Sequence, residues 1–424
     1  MNCPVLNESS YDALFDNQYN ASKIVCDGSM DKAAKEVRSD VGADITVSVD
    51  GTWHRRGHSS HNGVVTAISA DTGKCLDAEV LSNYCKQCQS HENLDKNSEE
   101  YIAFQRAHSD ECRLNHEGTA NSMESAGAVA IFSRSVNKHN IRYTGYLGDG
   151  DSSSFGTVCE NKPYGDCEIQ KYECIGHVRK RVGSRLRKLK KDYKGKKLSD
   201  GKVISGAGRL TDTMIDKLQN YFGIALRQNT SSVVDMQQNL MASLYHVSSS
   251  DGNPCHYMCP QGADSWCKWQ ENPLTYKHGK GLPQCIVELI EPIYDELTSP
   301  ELLQKCLHGR TQNANEALNQ LIWDQCVKTK WAGRRIVEDA TFKAISHFND
   351  GSKSLLKILE QLGVSPGHFS EKLSKCSDRD RIRDATRKSA EKQKLRRKVL
   401  RAKKKGFNER LAENEGVTYE KGSF

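Results

Sequence analysis

The stretch Asp44-Ile45-Thr46-Val47-Ser48-Val49-Asp50-Gly51-Thr52-Trp53 decides the fold. Its Ile, Val and Thr content reads as a β-strand over 44–53, and the strand carries a carboxylate near its end. Two more β-rich runs follow at 64–69 and 75–82, with turn residues Ala70-Asp71-Thr72-Gly73-Lys74 between them, so the three form an antiparallel meander. A helix is expected over 122–138, then a strand over 142–147 that stops at Gly148-Asp149-Gly150-Asp151. A β-like stretch over 168–175 runs into a basic helix that begins near His177. Three meandering strands, a helix, then strand, helix and strand is the element order of an RNase H-like α/β fold.

From about 197 to 300 the β signals disappear. Leu210, Met214, Ile215, Leu218, Phe222 and Ala225 recur at helical spacing behind the candidate cap Thr211, which marks 197–300 as a mainly helical insertion. The α/β core, whose first part is 41–196, resumes over 301–366 with helices expected at 315–327 and 333–347. A basic helical tail fills 367–424. Residues 1–40 are weakly patterned, with one short helical candidate at 31–38, and read as an edge segment or remnant.

A length of 424 residues suits two or three domains, and 37% hydrophobic residues with 32 glycines is a globular composition. No apolar run nears the roughly 18 residues of a membrane span, and the first residues lack the basic-then-apolar order of a signal peptide. No membrane partner is expected, and the chain reads as intracellular. Sixteen cysteines are too dilute for a disulfide scaffold, so grouped Cys and His point to metal ligation.

The net charge of +7 hides a division. Residues 371–405 hold 16 Lys and Arg against 5 Asp and Glu, residues 177–198 hold 11 against 1, and the remainder is net negative. Basic charge gathered into two runs fits a polyanion, so nucleic acid is the expected partner. Arg179, Lys180, Arg181, Arg185, Arg187 and Lys188 in one run, and Arg396, Arg397 and Lys398 in the other, are the candidate DNA contacts. Both runs also fit a nuclear import signal.

Asp50 ends one apolar β run and Asp149 follows another. If these strands are neighbours, both carboxylates emerge at one sheet edge, where hard oxygen ligands suit Mg²⁺ or Mn²⁺. Two such ions about 3.5–4 Å apart stabilise the attacking and leaving oxygens of an in-line phosphoryl displacement. Glu316, in the first turn of a helix and among Asn313, Asn315 and Asn319, is the candidate third carboxylate; Asp151 is an alternative to Asp149.

Cys85-x-x-Cys88 followed by Cys112-x-x-x-His116 offers four ligands for tetrahedral Zn²⁺, with His91 and His108 as alternatives inside the segment 84–116. His246, His256-x-x-Cys259 and Cys267, with Cys255 adjacent, form a second candidate set within the insertion. Both are read as structural, because four protein ligands leave no open position for water. His54, His58 and His61 read as a loop facing DNA.

Several of these segments together resemble the Mutator-like transposases, a group of DDE transposases with RNase H-like catalytic domains. The segments are Val47-Ser48-Val49-Asp50-Gly51-Thr52-Trp53, Leu147-Gly148-Asp149-Gly150-Asp151-Ser152, Cys174-Ile175-Gly176-His177 and Asn313-Ala314-Asn315-Glu316-Ala317-Leu318-Asn319. The resemblance implies a transposase whose Asp50, Asp149 and Glu316 form the metal-binding triad, with Cys174 and His177 close to it. Double-stranded DNA would be the partner, with cleavage at element ends and strand transfer to target DNA, and a dimer or larger assembly on DNA is expected. Such transposases often carry a further DNA-binding domain ahead of the core, and the 40 residues here are too few for one, which suggests a truncated or domesticated copy. The competing expectation is a catalytically silent, transposase-derived DNA-binding regulator.

Overall fold

β1 (Asp44–Trp53) lies at the centre of a five-stranded mixed sheet with β2 (Asn62–Ser69), β3 (Cys75–Ser82), β4 (Arg142–Gly148) and β5 (Gln170–Glu173). The spatial order is β3-β2-β1-β4-β5. The meander expected for the first three strands is present, with β1–β2 and β2–β3 antiparallel, whereas β1–β4 and β4–β5 are parallel. The computed structural model describes residues 7–55, 60–150, 153–261, 265–279 and 281–390.

Every residue of β2 is buried, because both faces of the sheet are covered. Val47, Val49, Val65 and Ala67 point to one face and pack under Met123, Ala128, Ile131 and Phe132 of the helix Ser122–His139. Val64, Ile68 and Val80 point to the other, against Leu318 and Ile322 of the helix Asn313–Gln325 and Val337, Ala344 and Ile345 of the helix Arg334–Asp350. Alternation along the strands thus builds a three-layer unit.

Gly127 marks the closest approach of helix to sheet. A Cβ there would stand 2.8 Å from the Cβ of Val65 and 2.5 Å from its Cγ2. Gly127→Ala is therefore expected to destabilise the chain by about 1–3 kcal/mol through overpacking, despite alanine's better helix propensity, and a denaturant titration checks this.

The insertion is helical, as its periodicity implied. Thr211 caps the helix Asp212–Gln228 by accepting from the Met214 N–H at 3.2 Å. This helix, Val233–Ser248 and Gln284–Leu297 share a core of Leu218, Phe222, Leu240, Leu244, Ile286, Ile290 and Tyr294. The basic helix Ile175–Asp192 lays Val178, Val182 and Leu186 into that same core.

The chain divides into two units, Cys26–Asn349 and the paired segments Met1–Val25 with Asp350–Phe424. In the latter, Ala21, Val25 and Ile358 cluster, and Asp378 accepts from the Ser352 N–H at 2.9 Å. Its helix His368–Ser389 is largely exposed, with Arg–Asp pairs along its own surface at Arg381–Asp378, Arg383–Asp380 and Arg387–Asp384. Exposed pairs of this kind contribute about 0–1 kcal/mol each. Arg396, Arg397 and Lys398 lie outside the described residues.

One element differs clearly from the sequence reading. Where a short helix was expected at 31–38, a helix runs from Glu8 to Asp40. Its buried positions, Ala21, Ser22, Val25, Cys26, Ser29, Met30, Ala33, Ala34 and Val37, keep helical spacing. Most are small, so the stripe is weakly apolar although it is buried. No described helix is long and apolar enough to cross a membrane.

Candidate active site

Asp50 and Asp149 leave the sheet side by side. The parallel register pairs Val47 with Tyr146 and Ser48 with Leu147, which puts Asp50 and Asp149 two residues further on at the same level. Across the antiparallel pair Asp50 faces Thr66.

A row of amides fastens the helix Asn313–Gln325 to β1. Gln312 donates to the Val49 carbonyl at 2.9 Å, and buried Asn315 accepts from the Ser48 hydroxyl at 2.6 Å while donating to the Ser48 carbonyl. Asn319 donates to the Asp50 carboxylate at 2.7 Å, and Trp323 donates to Thr52 at 2.8 Å. Residues 312, 315, 319 and 323 recur on one helical face, so Glu316, one position round, is turned towards the edge where Asp149 emerges.

His177 stands between those two acids. Its Nδ1 is 3.7 Å from Asp149 and its Nε2 is 4.0 Å from Glu316. Lys180 also reaches Glu316 at 3.3 Å, and Arg181 bridges Asp149 at 3.1 Å and buried Glu173 at 2.9 Å. Cys174 precedes the basic helix, where its sulfur accepts from the Gln312 N–H at 3.4 Å and its own N–H donates to the Gly148 carbonyl. It joins the end of β4 to the start of the Glu316 helix, and Gln312 carries that link on to β1 through the Val49 carbonyl. Asp151 lies outside the described residues.

Electrostatics separate the carboxylates. Burial, reinforced by Glu124, pushes the Asp50 carboxyl up to about 7; Asn319 pulls it back, and Glu316 and Asp149 add to the rise. For Asp149, burial is outweighed by Arg181, the Gly150 N–H and His177, which hold it below the usual carboxylate range. Glu124 is raised, mainly by burial. A Cβ on Gly51 would stand 2.9 Å from its Cγ, which places this fourth acid beside Asp50. Sequence reasoning missed Glu124, since an acid in the first turn of a helix is common for dipole reasons alone.

Among the described residues, the groups whose ligand atoms all close to within 4.8 Å are two Cys/His clusters rather than these acids. The first is Cys85, Cys88, His108 and Cys112, with Cys85 Sγ 3.2 Å from His108 Nε2 and the Cys88 and Cys112 sulfurs 3.5 Å apart. His116, expected as the fourth ligand, is instead 2.8 Å from the Ser122 hydroxyl. The helix Glu99–His108 delivers His108, while the chain from Cys112 to His116 leads away to pair with Ser82. Burial would raise the Cys85 thiol, but N–H groups of Arg113 and Cys88 and the His108 ring outweigh it and lower it to about 6.

The second cluster is the one expected. His246 and His256 both present Nδ1 to the sulfurs of Cys259 and Cys267, at 3.4–3.6 Å. Burial lowers both rings to about 4, which keeps them neutral and able to ligate. His256 Nε2 meets His278 at 2.7 Å, and His278 in turn meets Asp251 at 3.0 Å.

The basic helix is more committed within the fold than its charge suggested. Arg181, Arg185 and Arg187 pair with Asp149, Glu296 and Asp216, Arg179 packs against Gly223, and Lys180 and Lys188 are exposed.

Of the known proteins, no curated protein and no solved structure matches this chain. A family model described as Mutator-like transposase matches residues 1–267. The chain belongs to the Mutator-like transposase family. The matched part of this Mutator-like transposase carries Asp50, Asp149, Cys174, His177 and both Cys/His clusters, while Glu316 lies beyond it. Membership implies a nuclease or transferase that acts on DNA.

Proposed function

We propose that the chain is a DDE-type DNA transposase with an RNase H-like core, cutting DNA at element ends and joining the freed 3′-hydroxyl to a target. The carrying observation is the level placement of Asp50 and Asp149 on neighbouring parallel strands, joined to Glu316 through His177. The sheet order β3-β2-β1-β4-β5, with an antiparallel meander followed by parallel strands, supports the RNase H-like reading.

The donor set fits hard divalent cations. Asp50, Asp149 and Glu316 offer carboxylate oxygens, the ligands that Mg²⁺ and Mn²⁺ favour, and the raised Asp50 lacks a cationic partner of its own among the groups that shift it. Two ions held there would supply charge stabilisation to the attacking and leaving oxygens. Asn319 orients the Asp50 carboxylate, Arg181 fixes Asp149, and His177 keeps Asp149 and Glu316 apart. Incubation of the full chain with Mg²⁺ and duplexes carrying the sequences that flank its gene should release 3′-hydroxyl ends at a terminal inverted repeat and join them to plasmid DNA. Glu316→Gln should bind the duplex without cutting it. Binding without cutting by the unaltered chain would favour the silent regulator.

The two clusters are proposed to hold one structural Zn²⁺ each. Elemental analysis should give two per chain, unchanged in His116→Ala and reduced towards one in His108→Ala; the reverse pattern would overturn the His108 assignment. A nuclear location, through the basic runs, and a dimer or larger assembly on DNA complete the proposal.

A further inference from the structure

At the far end of β1, past Asp50, three rings form a tier on the surface. His61 and Tyr84 have centroids 4.7 Å apart, and Trp331 meets Tyr84 edge-on at 6.3 Å. Trp331 is 58% exposed and His61 is exposed, although large rings of this kind are usually covered.

Basic residues stand in the adjoining segments. Arg55, Lys328 and Lys330 are all exposed, and the segment Val327-Lys328-Thr329-Lys330-Trp331 is exposed throughout. The segment is nonetheless pinned. Lys328 Nζ donates to the Trp53 carbonyl at 2.7 Å, Asn62 donates to the Ala332 carbonyl at 2.9 Å, and the buried His54 ring packs against Trp323 with centroids 5.6 Å apart. Buried there, His54 does not line the exposed tier. Tyr84 immediately precedes Cys85, so the first metal cluster fixes its backbone.

A pinned set of rings, His61 and Trp331 exposed and Tyr84 half-buried between them, with cations in the adjoining segments, is the arrangement that binds unpaired nucleic acid. Bases stack on the rings without sequence preference, and the cations follow the phosphates. We infer that His61, Tyr84 and Trp331, with Arg55 and Lys330, form a stacking platform for a short unpaired stretch of the DNA strand held in the active site. The substrate class rests on the transposase reading. A strand rises about 3.3 Å per residue, so Trp53 lies about 10 Å beyond Asp50 along β1. At about 3.4 Å per stacked nucleotide, a strand held at Asp50 reaches the platform within about three or four nucleotides.

The test uses the full chain and two labelled 15-nucleotide probes, a single-stranded oligo-thymidine and a duplex, in buffer without added divalent cation. Trp331→Ala and Tyr84→Ala should each weaken single-strand binding by at least about fivefold, the loss of one stacked base, and change duplex binding by less than about twofold. Melting temperature and zinc content should stay unchanged, which shows that the variants fold. Quenching of tryptophan emission by the oligo-thymidine should also largely vanish in Trp331→Ala. Unchanged single-strand affinity, or equal losses on both probes, would overturn the inference. So would a Trp331→Ala chain that loses only self-association in sedimentation, which would make the tier a contact between copies. No cleavage is required, so a chain that proves inactive can still pass this test, and an active chain can still fail it.

Discussion

Asp50→Asn is expected to abolish metal-dependent DNA cleavage and, at the same time, to make the protein more stable at pH 8. The loss follows from removing a ligand oxygen at the reacting centre. Charge stabilisation by such ions is worth several kcal/mol, or at least about a thousandfold in rate. The gain in stability follows from the raised carboxyl. Burial and the neighbouring acids lift Asp50 from 3.8 to about 7, so the folded chain binds that proton more tightly than the unfolded chain. Stability is then lost as pH rises from about 4 to about 7, and the full penalty persists above that. A shift of about three units sets a ceiling of about 4 kcal/mol; shared charge with Glu124, Glu316 and Asp149 brings the expected gain nearer 2. Asn carries no charge and still accepts from Asn319. Thermal melts without added divalent ions should show the variant above the wild type at pH 8 and level with it at pH 4. Destabilisation at both pH values would mean that Asp50 serves the fold rather than the site.

Replacing Cys259 and Cys267 together by Ser should unfold residues 249–282 while leaving the sheet intact. The described part of that segment holds only the paired Ser250 and Asn253 and the short helix Lys268–Glu271. Its buried residues are His256, Cys259 and Cys267 of the cluster with Ser249, Ser265 and Leu282, so Leu282 is the one large apolar side chain among them. So little apolar burial cannot offset the entropy of ordering some 30 residues, whereas structural zinc supplies about 10–16 kcal/mol in small zinc-dependent folds. Limited proteolysis should cut the variant within 249–282 at a rate at least about tenfold above wild type, zinc content should fall by one, and fragments spanning the sheet should survive. Resistance equal to wild type would show that the segment holds itself without metal.

The strands were legible because a buried sheet demands β-branched residues in runs. β1 and β3 run over the expected 44–53 and 75–82, β2 begins two residues earlier than its expected 64, and β4 is longer than expected by Gly148 alone. The amides around Glu316 were legible as a group, but not that Asn315 and Asn319 bond Ser48 and Asp50, because that depends on packing between segments some 270 residues apart. His108 was hidden by spacing: local pairing favours Cys112-x-x-x-His116, while the helix Glu99–His108 carries a more distant histidine into place. The long first helix was hidden because six of the nine residues in its buried stripe are alanine, serine or cysteine, with only Val25, Met30 and Val37 larger. Ion pairing along the basic helix was equally illegible, since its partners Glu173, Asp216 and Glu296 come from other elements.

The most direct measurement is an anomalous difference map, at the manganese edge, of the full chain crystallised with Mn²⁺ and a duplex end. The account expects two peaks within ligand distance of the Asp50, Asp149 and Glu316 carboxylates, with Lys180 and Arg181 turned towards the DNA. Manganese bound elsewhere, or an acidic site still closed by His177, Lys180 and Arg181 with DNA in place, would contradict it.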